Sequence, residues 1–575
     1  MRIRTTNSKN TTHYAIIYDI NKDGKRTTKI YENLGTIEKI KFRAGNKDPL
    51  TWLKEYVADL NTKLKEDNLP VIISKNPNVL IEKNKQVVFN GGYLFLQKIY
   101  YDLQIDNICE EIKNKHQFKY DLNSILSRLI YGRILYPSSK LSTLEYSKKF
   151  LEQPNFELHH IYRALEILAK ENDFIQSELY KNSCKYSKRN SKILYYDCTN
   201  YFFEIDEDDD LRKYGISKEH RPNPIVQMGL FMDGDGIPLA FNINPGNTNE
   251  QETLTPLEEK IIKDFEFSTF VVCTDAGLSS TDNRKFNNTN DKRFITTQSV
   301  KKLKKYLKEW VLDKTNWHLP GLDGKVIDIS KLEDDKKLSE KFKDKIFYKE
   351  RWINEDGLEQ KMIVTYSIKY RDYQRKIRNS QIQRAQKLID SKPDKIDRPK
   401  QNDFKRFIQT ITTTENGEVA KENHYTINED IIKKEEQYDG FYAVCTNLDD
   451  KPEDIIKINK RRWEIEESFM IMKSEFKARP VYLSREDRIK AHFMTCFLAL
   501  TIFRFLEKKI NEEYTVFELV DTLKDFIFLE EDSLGYRPIY TRTDLTDLLH
   551  EKFNFRTDYQ ILPYKKIKKI FKESK

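Results

Sequence analysis

Arg462, Glu466 and Lys473 lie in a stretch, 459–473, that contains neither glycine nor proline. At about 100° per residue, one continuous helix there brings all three onto a narrow stripe with Phe469. Trp463 and Met470 border the stripe on one side, and Ile465 and Met472 on the other. An ordinary amphipathic helix keeps its charges away from its apolar residues, as Lys460, Glu464, Glu467, Ser474 and Lys477 do on the opposite face. A carboxylate set between two cations inside an apolar border points inward or into a cleft. There it is costly unless it is paired or bound to a metal. The same spacing also permits a plain Arg462–Glu466 surface pair, which contributes only about a few tenths of a kcal/mol.

Two further acids are embedded in apolar runs. Ile193-Leu194-Tyr195-Tyr196-Asp197-Cys198-Thr199 reads as a buried strand carrying Asp197, followed by Tyr201, Phe202 and Phe203. Phe270 to Gly277 reads as another, with Asp275 at its C-terminal end before a glycine turn. One acid inside an apolar strand is often a turn or a cap. Two in one sheet, with Glu466 on a later inward-facing helix, form a set of three carboxylates, selected by context from 91 acidic residues.

The elements that must position this set follow from the change of period at Ile193. Ile225 to Met232, the turn Asp233–Gly236 and Ile237 to Ile243 form a hairpin, and Thr253 to Phe265 a helix. The Asp-Gly-Asp-Gly turn lacks the twelve-residue loop and closing glutamate of a calcium site. A catalytic sheet is expected over 191–300 and 438–510, the second part opening on the strand Tyr438 to Thr446. Residues 301–437 read as an insertion. It begins with a cationic helix, Lys301 to Lys308, and includes a strand at Met362 to Tyr366. A long helix from Ile368 to Ile389, carrying Lys369, Arg371 and Arg375, ends before Pro393–Pro399. That basic helix is either a solvated face or a set of phosphate contacts.

Upstream, residues 1–90 read as a small β-rich domain. It holds a hairpin of Tyr14–Asp19 and Thr27–Leu34 about the turn Lys22–Lys25, a helix near Leu50–Leu64 and a strand at Val71–Ser74. Residues 91–190 read as a helical accessory domain suited to DNA or a partner, with His159-His160 too weak a pair to signal a metal. Residues 511–575 read as a helical tail ending Tyr564-Lys565-Lys566-Ile567-Lys568-Lys569.

Composition is compatible with this plan. The chain has 575 residues, 33% of them charged with both signs interspersed, 12% aromatic, and a net charge of +9. Such a balance describes a folded chain and permits nucleic-acid binding without requiring it. Six cysteines are scattered with no Cys-x-x-Cys pair; Cys198, Cys273 and Cys445 fall in apolar runs, as reduced buried thiols do. The N-terminus lacks a signal-peptide core, and the longest apolar run, Phe493 to Phe503, is too short for a bilayer. An intracellular protein with no membrane partner is expected.

Asp197, Asp275 and a helical Glu466 after an insertion resemble a DDE transposase. Arg462, Glu466 and Lys473 match three parts of the Tyr-x2-Arg-x3-Glu-x6-Lys signature of bacterial insertion-sequence family four. Arg462-Trp463, Ile465-Glu466, Phe469, Arg479-Pro480-Val481-Tyr482 and His492 resemble its larger members. So do Asp275-Ala276-Gly277 with Asn283, Pro137-Ser138-Ser139-Lys140 and Gln381 to Ala385. Asn459 departs from the signature, standing where the family has a tyrosine that contacts DNA.

The resemblance implies a mixed α/β, ribonuclease-H-like catalytic core with a large insertion between the second aspartate and the glutamate. It implies cleavage and strand transfer at the ends of an insertion sequence, with Asp197, Asp275 and Glu466 as catalytic metal ligands. Two Mg²⁺ ions, replaceable by Mn²⁺, would sit about 3.5–4 Å apart, with Asp197 bridging them. Arg462 and Lys473 would hold phosphate, with Thr199, Asn283 and His492 beside the site. The implied partner is double-stranded DNA, both transposon ends and target, bound by a homodimer in the bacterial cytoplasm at the nucleoid. Two alternatives remain open: a nuclease of the same fold without strand transfer, and a DNA-binding protein derived from a transposase, which Asn459 favours.

Overall fold

The computed structural model describes residues 1–8, 11–22, 25–45, 47–66, 73, 75–289, 291–321, 326–334, 336–391, 403–412 and 423–575. The chain divides into two compact units, one of Met1–Leu94, Lys149–Leu151 and Thr522–Lys575, the other of Phe95–Lys148 and Glu152–Asp521.

In the first unit, Arg2–Ser8, Thr11–Lys22 and Lys25–Thr36 pair as an antiparallel sheet. Helices Ile37–Ala44 and Pro49–Glu66 close with it over Ile16, Leu34, Ile40, Leu53 and Val57. Asp23 and Gly24 of the turn, and most of the stretch Val71–Ser74, lie outside the described residues. A second sheet has the order Leu562–Pro563, Gly535–Pro538, Ile527–Glu531, Val88–Asn90. The stretch read as a helical tail therefore carries three strands besides its helices. Phe528 is buried in that sheet, and left-handed φ values of 65° at Ser533 and 133° at Gly535 turn the chain back on itself.

In the second unit, helices Ile105–His116, Leu122–Leu135, Lys140–Ser147, Leu158–Lys170 and Asn172–Tyr186 precede a ten-stranded sheet. Its strands in chain order are β1 (Ile193–Phe202), β2 (Ile225–Asp233), β3 (Pro238–Pro245), β4 (Phe270–Thr274), β5 (Lys292–Gln298), β6 (Trp317–His318), β7 (Val326–Ile327), β8 (Phe347–Glu355), β9 (Leu358–Tyr366) and β10 (Phe441–Thr446). Spatially the order is β7-β6-β8-β9-β10-β5-β4-β1-β2-β3. β1 and β4 run parallel, as do β4 and β5, and every other pairing is antiparallel. A helix, α1 (Leu254–Asp264), crosses from β3 to β4. The half β3-β2-β1-β4-β5 is thus a ribonuclease-H-like core. All nine residues of β2 are buried, which explains why these strands read as continuous apolar runs rather than alternating ones.

The insertion continues the same sheet. β9 pairs with β10 from Lys361↔Thr446 to Tyr366↔Phe441, and β10 pairs with β5. Trp317, Val364, Tyr366 and Phe441 bury the join. The helix α2 (Ile368–Ser391) follows β9; the proline-rich stretch 393–399 lies outside the described residues. The expected cationic helix is split into a single turn, Val300–Lys302, and a helix, Lys305–Leu312, because Leu303 turns inward between them.

The stretch 459–473 is not one helix. α3 (Pro452–Lys460) ends at Asn459-Lys460, a tight turn holds Arg461 and Arg462, and α4 (Trp463–Met470) begins anew. The turn tightens to three-residue hydrogen bonds, Arg462 N to Asn459 O at 3.2 Å and Ile465 N to Arg462 O at 3.2 Å. After Met470 the backbone widens into a π turn, Ile471–Glu475, closed by Phe476 N to Ile471 O at 2.9 Å. That widening lets Ile471, Met472 and Phe476 all be buried. The next helix, α5 (Glu486–Lys509), is apolar enough to resemble a membrane span, yet its apolar window is 94% buried; it packs on Leu122–Leu135 and Leu158–Lys170.

Candidate active site

Parallel pairing of β1 with β4 sets Tyr195 opposite Cys273. Two residues further along each chain stand Asp197 and Asp275, where β4 has ended and β1 continues, paired only with β2. The carboxyl ends of parallel strands, where the chains part, are where α/β sheets bind ligands. Asp197 Oδ1 accepts a hydrogen bond from Cys198 N at 2.8 Å. Asp275 Oδ1 accepts two, from Gly277 N at 2.9 Å and Leu278 N at 3.1 Å, which fold the glycine turn beneath it. Among the described residues, Oδ2 of either aspartate takes no protein hydrogen bond.

Burial pushes the Asp197 carboxyl up to about 7. Lys218 opposes that rise, the negative charge of Asp275 adds to it, and Arg462 opposes it again. A desolvated carboxylate facing a second one is the environment that a cation relieves.

Glu466 reaches this place through Arg462. Arg462 Nη2 lies 2.9 Å from Glu466 Oε1. Burial disfavours the guanidinium's charge, but Glu466 first, then Tyr442, Asp197 and Asp275, outweigh it and hold it above the ordinary arginine range. One cation therefore interacts with all three acids. The i,i+4 pair considered from spacing is present, with Arg462 largely buried and Glu466 56% exposed, so the carboxylate opens to solvent rather than pointing into the core as the apolar border suggested. The three acids do not close tightly: among the described residues, only Asp547, His550 and Asp558 bring ligand atoms within 4.8 Å of one another. Those two aspartates are already bonded to Arg542 and Arg556.

α4 is held in place from behind. Arg504 of α5, buried, donates to Glu467 Oε2 at 2.8 Å and Ser468 Oγ at 2.9 Å, with Glu507 Oε2 at 2.9 Å balancing its charge. Tyr195 Oη donates to Ile458 O at 2.9 Å, tying the end of α3 to β1. Asn459 is buried, and its Nδ2 donates to Tyr442 Oη at 3.0 Å.

Lys473, on the π turn, points elsewhere than Glu466. Its Nζ lies 3.5 Å from Glu219 Oε1, and Arg479 pairs with the same carboxylate. Burial, and then the charge of Lys218, lower the Lys473 ammonium to about 8, with Asp197 opposing. Lys218 donates to Cys198 O and lies 3.1 Å from Glu250 Oε1. Burial opposes its charge too, yet Asp197 and Glu250 hold it above the usual lysine range.

The three residues expected beside the site differ in position. Thr199 is buried two residues along β1 from Asp197. Asn283 Nδ2 donates to Gln251 O and Leu278 O, each at 3.0 Å, and so joins the Asp275 turn to the turn carrying Glu250. His492 is buried with Nε2 3.1 Å from Ala478 O; burial, Arg133 and Lys140 keep it uncharged. It fixes the segment before Arg479 and does not touch the acids. On α2, Arg371 is buried and bonded to Asp372 at 2.9 Å, so its guanidinium is not offered to phosphate, contrary to the expectation from sequence. Lys369 is exposed, 3.9 Å from Asp344, and Arg375 is half-exposed, 3.4 Å from Asp439.

Lys218, Glu219, Glu250 and Tyr442 were not singled out from sequence. Lys218 and Glu219 sit in a turn and Glu250 opens a single 3-10 turn, Glu250–Glu252, where no periodicity marks them, and Tyr442 lies unremarked in an apolar strand.

Hard carboxylate oxygens from the middle of β1, the turn after β4 and a helix, with Oδ2 of each aspartate taking no protein hydrogen bond among the described residues, fit Mg²⁺ or Mn²⁺. Residues 204–502 match the family model described as "Transposase DDE domain". The match covers Asp275, Glu466 and Lys473 and begins just after Asp197. No curated protein matches the chain. A cryo-EM structure of a piggyBac transposase synaptic complex with hairpin DNA is similar with a TM-score of 0.36 at 8% identity, over 76% of this chain and 80% of that one.

Proposed function

The chain belongs to the transposase DDE-domain family, and from that membership and the site's geometry we propose that it binds the terminal inverted repeats of a bacterial insertion sequence and cuts and rejoins DNA there. The observation that carries this reading is that Asp197 and Asp275 stand side by side past the parallel pairing of β1 and β4, near the Arg462–Glu466 pair, whose guanidinium charge all three acids favour. The Arg-x3-Glu-x6-Lys spacing supports a reading of the chain as a member of insertion-sequence family four.

Asp197, Asp275 and Glu466 would hold two Mg²⁺ or Mn²⁺ ions. Such ions, when bound, supply an activated water and stabilise the leaving oxygen of a phosphodiester. The chain's own residues do the rest. Arg462 keeps Glu466 oriented and offers its remaining fork to a phosphate. Lys473, with a pKa of about 8, is mostly charged at neutral pH and offers a point charge beside Asp197. Asn283 holds the segment that bears Asp275, and Thr199 is buried on the strand that bears Asp197. Residues 91–190 and the insertion 301–437, with Lys369 and Arg375 on α2, would extend the DNA contact as accessory regions. The protein would act as a homodimer on DNA in the bacterial cytoplasm.

The test is Mg²⁺- or Mn²⁺-dependent nicking of a duplex carrying the inverted repeat that flanks the gene. A second reading, a DNA-binding protein that has lost catalysis, is favoured by Asn459, buried against Tyr442 where the signature has tyrosine. If the natural chain binds the repeat without nicking it and Asn459→Tyr restores nicking, that second reading holds.

A further inference from the structure

In the first unit the last helix, α6 (Tyr564–Glu573), carries Lys565, Lys566, Lys568, Lys569 and Lys572 against one acid, Glu573. Ile567, Ile570 and Ser574 are buried, and they share one face. At about 100° per residue, Lys565, Lys568, Lys569 and Lys572 form a single stripe on the opposite face. All four are exposed. Tyr564 Oη donates to Glu530 Oε1 at 2.8 Å and anchors the helix start, while the Lys566 ammonium stacks over the Tyr559 ring.

An ordinary solvated helix alternates acids with its lysines at these spacings, because like charges three and four residues apart repel. Here Lys569 pairs with Glu573 at 3.3 Å, whereas among the described residues Lys565, Lys568 and Lys572 have no acidic partner. In the same unit Arg542 and Arg556 close on Asp547 and Asp558. Lys39, Lys41 and Lys54 are also exposed, on two other helices, whereas α6 sets three lysines without an acidic partner among the described residues on one face of a single helix.

We propose that this lysine stripe is a docking surface for the phosphodiester backbone of duplex DNA, separate from the contacts of the acid site. From Lys565 to Lys572 the stripe runs about 10 Å at a rise of about 1.5 Å per residue. One DNA strand presents a phosphate about every 3.4 Å of axis, so the stripe spans about three of them. Lysines on flexible stems meet phosphates as point charges without reading sequence, so the contact adds affinity rather than specificity. The inference rests on the DNA-acting reading above.

The test uses the full chain and a short duplex, with binding followed by fluorescence anisotropy across a salt series. In Lys565→Gln/Lys568→Gln/Lys572→Gln, the slope of log affinity against log salt should become shallower by about 2 to 3, near 0.9 per lost contact. Affinity at low salt should fall at least tenfold. The triple arginine variant should keep the natural slope, which separates lost charge from a damaged helix. An unchanged slope in the glutamine variant, while the natural chain binds DNA, overturns this inference alone. Absence of DNA binding by the natural chain overturns it together with the DNA-acting reading. An unchanged DNA slope with lost binding to phosphatidylserine vesicles assigns the stripe to an anionic membrane instead.

Discussion

Arg462 Nη2 and Glu466 Oε1 lie 2.9 Å apart, one turn of chain from each other, and the same guanidinium interacts with Asp197 and Asp275. A surface pair at this spacing contributes little. This one lies near Asp197 and Asp275, whose charges also favour the guanidinium, so its loss should disturb the acid cluster more than the fold. Arg462→Ala should leave the melting temperature within a few degrees and lower nicking by about 100-fold, in the range for removing one preorganised charge-stabilising donor. Arg462→Lys should recover only part of the activity, because an ammonium lacks the planar fork. Nicking of a repeat-bearing duplex at saturating Mn²⁺, beside a melting curve, checks both.

Lys218 places a positive charge against Asp197 and Glu250. That charge competes with any divalent cation for the same oxygens. Lys218→Gln should raise Mn²⁺ affinity, on the order of tenfold for one like charge removed at close range. Calorimetric titration of Mn²⁺ without DNA measures this. Weaker Mn²⁺ binding in the variant would mean that Lys218 supports the site rather than competing in it.

Glu258 on α1 is fully buried. Its Oε2 accepts from Asn287 Nδ2 at 3.0 Å, while Oε1 has no hydrogen-bond partner. Burial raises its carboxyl from 4.5 to about 7. In that window the folded state holds the proton that the unfolded state has released, so stability falls as pH rises from 4.5 to about 7 and stays lower above it. Glu258→Gln should therefore stabilise the protein at pH 8, on the order of 3 kcal/mol, and by little near pH 4. Thermal unfolding at the two pH values decides; an equal gain at both would locate the cost elsewhere.

Arg378 of α2 grips Asp439 with Nη1–Oδ1 and Nη2–Oδ2 both at 2.7 Å, and both residues are buried. Arg378→Leu removes both short bonds from the buried Asp439 and leaves it only the longer contact from half-exposed Arg375 at 3.4 Å, so it should cost about 3 kcal/mol, the low end for a broken buried pair. Lys369→Ala on the same helix, 76% exposed, should change stability by about 0.5 kcal/mol or less. Denaturant unfolding of the two variants separates a buried, structural arginine on α2 from an exposed lysine on the same helix.

Much of the core was legible in advance. β1 and β4 announce themselves because a strand buried on both faces must be apolar throughout, so Asp197 and Asp275 stand out as exceptions within it. The break at Arg461-Arg462 and the π turn at Lys473 were not legible. No glycine or proline marks them, and their cause lies in tertiary ties, Tyr195 to Ile458 and Arg504 to α4. For that reason the stripe drawn on an ideal helix places Arg462 with Glu466 correctly but misdirects Lys473, which turns to Glu219. Arg371 was misread because a basic run does not reveal which of its members the fold buries. Lys218 and Glu250 reach the site from turns, and turn contacts are set by the assembled sheet rather than by local pattern.

The most direct measurement is Mn²⁺- or Mg²⁺-dependent nicking of the inverted-repeat duplex by the natural chain and by Glu466→Ala, with DNA binding followed in parallel. The expected result is cleavage that needs the metal, a drop of at least 100-fold in the variant, and unchanged binding. Cleavage by Glu466→Ala at the natural rate would contradict the assignment of Asp197, Asp275 and Glu466 as the active site.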